Sequence, residues 1–361
     1  MNHTPTHKAD VAIIGAGPVG LFAIFACGML ELRCHVIDAL ATAGGQCIAL
    51  YPEKPIYDIP AFPMIEAGDL IERLRQQAAP FDPVYHLNQR VETLQRSANG
   101  GFRLLTSTGA AIEAGAVIIA AGAGAFGPNR PPLPGIESYE GTSIFYMVTE
   151  RAVLRGKRIV IAGGGDSAVD WAISLAEIAA RVMLVHRRAN FRAAPESASR
   201  LKRLAEAGRI ELVTPCQLHG LEGEGGQLRR VIVADLEGKK RALDADVLLP
   251  FFGLSMNLGP IAEWGLNLDH QHIVIDPGTG GTSVADIYAI GDITAYPGKQ
   301  KLILQGFAEA AVAARAIYVR RNPERALHFE YSTTKGVPGG ARLDPEAQRV
   351  HKGVAKVAIS T

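Results

Sequence analysis

The hydrophobic pattern near the start of the chain predicts a strand, a helix and a second strand in close succession. Residues 10–14 have the composition of a buried parallel strand, and residues 33–38 form a second such run. Between them, the apolar residues 19–29 are predicted to form a helix. This order of elements is one βαβ unit.

The same pattern returns in the middle of the chain. Residues 158–162 again predict an apolar strand, 166–179 a helix and 182–186 a strand. Each βαβ unit can begin a dinucleotide-binding fold, because the turn after its first strand lies at the amino end of its helix. Two such beginnings therefore predict two nucleotide sites in one chain.

Gly and Pro residues mark where the chain crosses between the two predicted domains. They are so dense over 120–135 that we expect neither helix nor strand there, and a second crossover is predicted near 250–253, after a strand over 246–249. A strand over 287–290 and a helix over 302–320 would then complete the first domain. We therefore predict an α/β fold of two Rossmann-like three-layer domains, the second inserted in the first. The boundaries are 1–122 with 253–330 for the first domain, 125–250 for the second, and 331–361 for a C-terminal tail that we expect to be disordered after Ala341.

Composition and charge narrow the class of protein. A chain of 361 residues with 48% hydrophobic content can bury two cores. Its net charge of +1 gives no support for nucleic acid or a membrane as partner, and glycines interrupt the uncharged stretch over 11–30 that could otherwise cross a bilayer. The four cysteines have neither metal-ligand spacing nor a Cys-x-x-Cys pair. We expect a cytoplasmic protein without a metal site.

The first glycine-rich turn has the residues that a dinucleotide pyrophosphate needs. Gly15 permits a tight turn, Gly17 lets backbone approach the phosphates, and Gly20 lets the helix that begins near Pro18 pack closely on its strand. Asp38 ends the second strand, where a carboxylate can accept hydrogen bonds from a ribose diol. Since an acid there repels a 2′-phosphate, the site suits FAD or NAD rather than NADP.

The second turn differs at the position that decides which nucleotide binds. Its fingerprint, G-x-G-x-x-A, is followed by a basic cluster at the end of the next strand, and guanidinium groups match a phosphate dianion. We predict capping of the helix by Asp166 or Ser167, and NADP as the ligand. An ordinary solvated basic cluster is the alternative. The predicted NADP-binding residues are Gly163, Gly165, Asp166, Ser167, Ala168, His186, Arg187, Arg188 and Arg192.

A Gly-Asp pair at 291–292 favours FAD at the first site, because it follows a strand and precedes a helix whose start can face a flavin ring. Taken alone, such a pair is usually only a turn. FAD at one site and NADPH at the other imply hydride transfer from nicotinamide to flavin.

These motifs, in this order, resemble the two-dinucleotide flavoproteins of the thioredoxin reductase family over residues 10–320. The resemblance covers 15–20, 44–46, 163–168, 186–193 and 291–292. Thioredoxin reductases carry a Cys-x-x-Cys pair shortly before the NADPH fingerprint, whereas residues 146–149 here are Tyr-Met-Val-Thr. Without paired thiols, disulfide reduction is not expected.

Residues 44–54 and 328–334 most resemble the thioredoxin-reductase-like ferredoxin–NADP reductases, which lack that cysteine pair and act as homodimers. The resemblance implies electron transfer between NADPH and an acidic ferredoxin, with Tyr51 stacked on one flavin face and Tyr331 of the tail covering the other face in the partner subunit. The further FAD-binding residues that it implies are Gly45, Gln46, Val91, Phe126, Asp292 and Thr333.

Two other functions fit the same residues. One is an NADPH diaphorase whose acceptor is a quinone or a flavodoxin, and the other is a non-catalytic protein that senses FAD and NADPH. Tyr51 itself could be an ordinary loop tyrosine before Pro52.

Overall fold

A computed structural model describes residues 6–97, 100–148, 150–325 and 336–337. Contacts divide the chain into two compact units, with 1–43, 72–120 and 273–361 in unit 1 and 44–71 and 121–272 in unit 2. Tyr331 and Thr333 lie outside the described residues, as does the predicted tail apart from 336–337. Within the described residues, none of the helices is both long and apolar enough to cross a membrane.

Helices and strands alternate along much of the described chain. The α-helices are α1 (Pro18–Gly28), α2 (Gln46–Ala49), α3 (Ala67–Ala78), α4 (Asp166–Leu175), α5 (Pro195–Glu206) and α6 (Ile303–Arg321). The strands up to the second fingerprint are β1 (Thr6–Ile14), β2 (Cys34–Ile37), β3 (Pro55–Ile56), β4 (Ile65–Glu66), β5 (Val84–His86), β6 (Val91–Arg96), β7 (Phe102–Thr106), β8 (Ala111–Ile119), β9 (Ala125–Pro128) and β10 (Arg158–Ala162). The later strands are β11 (Arg181–Val185), β12 (Glu211–Val213), β13 (Cys216–Glu224), β14 (Gln227–Asp235), β15 (Lys240–Asp244), β16 (Val247–Pro250), β17 (Leu254–Asn257), β18 (Leu268–Asp269), β19 (His272–Val274), β20 (Ile287–Ala289) and β21 (Thr294–Ala295). Short 3-10 helices cover Ala79–Phe81, Ile136–Ser138, Arg151–Leu154, Gly259–Glu263 and Gly291–Ile293.

Unit 1 is built on a sheet in the order β5-β2-β1-β8-β7-β6, with β20 also paired to β8. The strands β5, β2, β1, β8 and β20 run parallel, whereas β6 and β7 form antiparallel pairs beside the first half of β8. Val11, Ala12 and Ile13 of β1 have no exposed surface, so both faces of the central strand are covered.

Helices α1 and α6 of unit 1 pack closely because of a small residue. A Cβ atom at Gly306 would lie 2.3 Å from Cγ2 of Val19, so the two helices approach where α6 has no side chain. The rings of Phe22 and Phe307 lie beside this contact with their centroids 4.9 Å apart. This packing fixes α6 against the helix that follows the first glycine-rich turn.

Unit 2 contains a parallel sheet in the order β12-β11-β10-β16 and an antiparallel sheet of β13, β14 and β15. Side chains of β10 alternate between two cores, with Ile159 and Ile161 in the cluster that includes α4 and Val160 in the cluster that includes the antiparallel sheet. The parallel sheet is therefore covered on both faces, as a Rossmann-type domain requires.

The predicted fold class and both βαβ units are confirmed, with strand ends within a few residues of the predictions. Two local predictions are wrong. The helix predicted over 166–179 ends at Leu175. The Gly- and Pro-rich segment 120–135, predicted to hold no strand, contains β9, which pairs antiparallel with β17 so that Phe126 lies opposite Met256. The ladder forms before the proline-rich part of the segment, since β9 contains only Pro128, at its end.

Candidate functional site: two nucleotide-binding turns

The first glycine-rich turn lies in unit 1 at the carboxyl end of β1. Gly15 has a φ of 110°, a conformation that disfavours a side chain, and its N–H donates to the carbonyl oxygen of Ile37 at 2.8 Å. Gly17 is the N-cap of α1 and Pro18 occupies its first turn. A Cβ atom at Gly20 would lie 2.0 Å from the carbonyl oxygen of Gly15, so α1 packs on the turn only with glycine there. The open N–H groups of α1 therefore begin at the edge of the sheet where a pyrophosphate would bind.

Asp38 closes this turn from the neighbouring strand. Its Oδ2 accepts a hydrogen bond from the N–H of Ala16 at 2.6 Å, and its Oδ1 accepts one from the N–H of Leu40 at 2.8 Å. Burial raises the pKa of the Asp38 carboxyl, and the two N–H groups act against that rise. Each oxygen keeps a free lone pair, so the carboxylate is fixed beside the turn and can still accept hydrogen bonds from a ribose.

The Gly291–Asp292 turn, also in unit 1, is held by a buried acid that the sequence analysis missed. Oε2 of Glu309 in α6 accepts a hydrogen bond from the N–H of Gly291 at 2.6 Å. Gly291 has a φ of 78°, and Thr294 donates its hydroxyl to the Gly291 carbonyl oxygen at 2.8 Å. The turn is thus tied to α6 as well as to the end of β20.

The second carboxylate oxygen of Glu309 accepts hydrogen bonds from the loop before α6, and these bonds together form the Glu309 network. Oε1 accepts hydrogen bonds from the Tyr296 hydroxyl and from Nζ of Lys299, each at 2.5 Å. Lys299 and Glu309 form a buried ion pair, with 8% and 6% of their side chains exposed. Burial, followed by the hydrogen bond to Glu309, raises the pKa of Tyr296 to about 12. Nothing in the helical pattern of α6 marks Glu309, because its partners come from the preceding loop.

The second glycine-rich turn lies in unit 2 between β10 and α4. A Cβ atom at Gly163 would lie 2.5 Å from the carbonyl oxygen of Phe251 and 2.8 Å from Cβ of Ala168. The N-cap of α4 is Gly165, and no side-chain hydrogen bond caps the helix. The prediction that Asp166 or Ser167 caps it is therefore wrong. The first N–H groups of α4 are therefore left for a ligand.

Asp166 instead holds the loop that carries Arg192. Its Oδ1 accepts a hydrogen bond from the N–H of Ala194 at 2.9 Å, and the N–H of Arg192 donates to the carbonyl oxygen of Gly164 at 2.7 Å. These two bonds place the backbone of Arg192 directly against the glycine-rich turn. The structure therefore brings Arg192 to the second fingerprint, 24 or more residues away in the sequence.

His186 packs beneath this turn rather than facing solvent. A Cβ atom at Gly164 would lie 2.1 Å from Cε1 of His186, and the imidazole stacks on the Phe191 ring with centroids 5.3 Å apart. Burial lowers the pKa of His186, and the charges of Arg187, Arg188 and Arg192 lower it further. Its buried Nε2 has no hydrogen-bond partner among the residues that the structure describes. An unpaired buried nitrogen next to the predicted phosphate site suits a ligand that supplies a hydrogen bond.

Three arginines lie near His186, close enough for their charges to act on its imidazole. Arg187, Arg188 and Arg192 are exposed, and across the described ranges no ion pair involves any of them. In contrast, Asp38 occupies the corresponding strand end in unit 1. The two turns thus differ in charge where a nucleotide ribose would lie.

The remaining predicted site residues divide between the units. Val91, at the start of β6 in unit 1, is 3% exposed. In unit 2, Gly45 is the N-cap of α2 with a φ of 55°, Gln46 begins that helix, and Tyr51 packs against the core cluster around α4, with Nζ of Lys54 5.6 Å from its ring centroid. Phe126 lies in β9. Binding of FAD by these residues, and by Asp292 and Thr333, stays a prediction.

The chain is similar to known proteins across both units. A family model described as pyridine nucleotide-disulphide oxidoreductase matches residues 9–316. A Paramagnetospirillum magneticum protein named ferredoxin–NADP reductase is 63% identical over 334 residues, 92% of this chain and 99% of its own. A Rhodospirillum rubrum protein of the same name is 60% identical over 342 residues, 94% of this chain and 99% of its own. Thioredoxin reductase of T. acidophilum, 24% identical, superposes with a TM-score of 0.77 over 87% of this chain and 99% of its own, which shows a shared fold.

Proposed function

The chain belongs to the pyridine nucleotide-disulphide oxidoreductase family, and from this premise we propose that it is a ferredoxin–NADP reductase with FAD and NADPH as its nucleotides. Relatives of that name match it at 58–63% identity over nearly their whole lengths. The reaction that follows is electron transfer between NADPH and the iron–sulfur protein ferredoxin.

The observation that carries the proposal is the opposite charge at the two strand ends. In unit 1, Asp38 is fixed by the N–H groups of Ala16 and Leu40 and repels a 2′-phosphate. In unit 2, Arg187 and Arg188 are exposed at the corresponding strand end, and neither forms an ion pair with any residue that the structure describes. The fold therefore separates a site for a nucleotide without a 2′-phosphate from one that selects it.

The chain's own residues bind and orient the two nucleotides, and no side chain has to act as a nucleophile. FAD, when bound, accepts a hydride from NADPH and releases electrons one at a time, which is the conversion that a ferredoxin requires. The turn at Gly15–Gly20 would hold the pyrophosphate of FAD and Asp38 a ribose. The Glu309 hydrogen bonds fix the Gly291–Asp292 turn, which would lie at the flavin. Gly163, Gly165 and the start of α4 would hold the pyrophosphate of NADPH.

A thiol relay to disulfides is not part of the proposal. Tyr146 stands in the segment where thioredoxin reductases have paired cysteines, and its hydroxyl donates to Oε1 of Glu140 at 2.6 Å. The four cysteines are all free, and three of them are buried. This cysteine usage also supports our proposal of a cytoplasmic location.

We also propose that the enzyme is a homodimer in which Tyr51 stacks on one face of the flavin and Tyr331 of the partner subunit covers the other face. The sequence resemblance over 44–54 and 328–334 supports this arrangement. Gel filtration with light scattering would test the dimer, and loss of flavin spectral fine structure in Tyr51→Ala would test the stacking.

The acceptor is tested by NADPH-dependent reduction of cytochrome c, with and without a ferredoxin. The proposal predicts that ferredoxin raises the rate many times above the ferredoxin-free rate, and that a quinone or a flavodoxin in its place is less effective. A quinone or flavodoxin that outperforms every ferredoxin tested would favour a diaphorase. Bound flavin that NADPH does not reduce would favour a nucleotide-sensing protein.

A further inference from the structure

Three histidines from different parts of the chain meet in unit 1. His7 lies in β1, His35 in β2 and His86 in β5, and one ring nitrogen from each lies within 4.8 Å of the others. Nδ1 of His35 and Nε2 of His86 are 2.9 Å apart, and their rings stack with centroids 5.2 Å apart. The ring of His7 stands edge-on to His86 at 4.7 Å between centroids.

The cluster lies inside the unit. His35 and His86 are 9% and 6% exposed, and His7 is half-buried. β1 pairs with β2 only from Val11 to Ile14, so the part of β1 that carries His7 is paired with β8 alone. His7 is held by its pairing with Ile112 of β8, whereas His35 and His86 lie on the paired strands β2 and β5.

The spacing of the nitrogens suits a tetrahedral metal ion. Zinc–nitrogen bonds of about 2.0–2.1 Å place two tetrahedral ligand atoms roughly 3.3 Å apart. The His35–His86 pair is within a few tenths of an ångström of that value, and a shift of at most about 1.5 Å by the His7 side chain would bring the third nitrogen to it. Three protein ligands leave one position of the tetrahedron for water.

The chemistry of the donors selects the class of metal. Imidazole nitrogens bind Zn²⁺, Cu²⁺, Ni²⁺ and Fe²⁺, whereas Mg²⁺ and Ca²⁺ prefer oxygen ligands. Nδ1 of His35 and Nε2 of His86 share a hydrogen bond, so a metal ion would replace the proton that lies between them. The nearby cation, Arg33, is paired with Asp10 at 3.2 Å.

We propose that His7, His35 and His86 bind a first-row transition metal ion, of which Zn²⁺ is the best fit. This departs from the sequence analysis, which predicted no metal, because the three residues are widely separated along the chain. The site adjoins the first nucleotide turn, since the carbonyl oxygen of His86 accepts a hydrogen bond from the N–H of Asp38 at 3.0 Å. The proposal does not depend on the function of the two nucleotide sites.

The test is calorimetric titration of Zn²⁺ into chelator-treated, tag-free holoenzyme. We expect one equivalent to bind, and His7→Ala to weaken that binding by about 100-fold or more, because changes to outer-shell partners of metals already cost about 10–100-fold. His270→Ala is the matched control, since that histidine is 93% exposed and lies in unit 2. Zinc X-ray absorption should show nitrogen ligands at about 2.0–2.1 Å.

Flavin content and circular dichroism establish that each variant is folded. If His7→Ala is unstable, His35→Gln, which keeps a hydrogen-bonding group beside His86, replaces it with the same expected loss. Absence of one-equivalent Zn²⁺ binding by the wild-type protein, or equal affinity in wild type and in the folded His7 or His35 variant, would overturn the proposal.

Discussion

At the scale of single residues, both nucleotide turns depend on positions where no side chain fits. Gly20 and Gly163 would each place a Cβ atom within 2.5 Å of a carbonyl oxygen, in one case that of Gly15 and in the other that of Phe251. Such a contact cannot be relieved by rotating a side chain, because the obstacle is backbone. The glycines are thus needed for the turn itself as well as for a ligand's approach.

Gly163→Ala should lower the unfolding free energy by about 1–3 kcal/mol, the usual cost of overpacking a well-packed site, and should weaken NADPH binding. Urea unfolding and NADPH titration measure the two effects. Gly220→Ala is the matched control in unit 2, because its Cβ would lie 3.7 Å from the nearest atom. Equal stability of both variants would contradict the steric argument.

Replacing Arg187 and Arg188 together by Ala should raise the KM for NADPH by about 100-fold or more, since hydrogen bonds to charged groups contribute about 1.5–3 kcal/mol each. The KM for NADH should hardly change. Arg229→Ala, an exposed arginine of unit 2 paired with Glu224, serves as control. Similar losses for NADPH and NADH would exclude recognition of the 2′-phosphate by this cluster.

The acidic and basic strand ends could be found from sequence because each lies at a fixed distance from its fingerprint. Glu309 could not, since its three partners, Gly291, Tyr296 and Lys299, are joined to it only by the fold. The histidine cluster was missed for the same reason. His186 was assigned to the basic cluster, but its ring packs beneath Gly164 and its pKa is lowered by burial.

At the scale of elements, the hydrophobic pattern located the two βαβ units because their strands are buried and their helices are rich in apolar residues, α1 along its whole length. It failed where pairing depends on distant chain, as in β9, which forms a ladder with β17. Periodicity also extended α4 past Leu175, where the helix ends and the chain turns toward β11. Local pattern predicts which segments are regular, whereas tertiary contacts decide where they stop.

The link between α6 and the Gly291 turn can be tested with Glu309→Gln. Leaving Lys299 buried without its partner should lower the unfolding free energy by about 3–5 kcal/mol, and the FAD dissociation constant should rise. Adding Lys299→Met should restore part of the stability, because it removes the unpaired charge. A double variant no more stable than Glu309→Gln would show that the ion pair is not the source of the loss.

Because His35 and His86 are buried, we expect the stability of the metal-free protein to fall in acid. Burial holds the pKa of His35 at about 4, below the value of about 6.5 in an unfolded chain. Between these two values the unfolded chain binds a proton that the folded protein does not, so stability falls as the pH drops from 6.5 to 4. Urea midpoints in this range should vary less with pH in His35→Gln than in wild type, and an identical pH dependence would contradict the assignment.

At the scale of the whole molecule, one chain contains two dinucleotide turns of opposite charge preference and no paired thiols. A family model matches residues 9–316, and relatives named ferredoxin–NADP reductase match at 60% identity or more along nearly their full lengths. Hydride transfer from a 2′-phosphorylated nucleotide to a flavin follows from the two sites together. Ferredoxin as the one-electron acceptor is inferred from the names of the relatives. The residues of the two nucleotide sites do not identify the acceptor.

Anaerobic titration of the purified, FAD-loaded protein with NADPH, followed by visible absorbance, tests the central claim most directly. We predict that about one equivalent of NADPH per flavin bleaches the flavin band, that NADH does so much more slowly at equal concentration, and that oxidised ferredoxin restores the band. A preparation that stays colourless after FAD is supplied, or a bound flavin that NADPH leaves oxidised, would contradict the account.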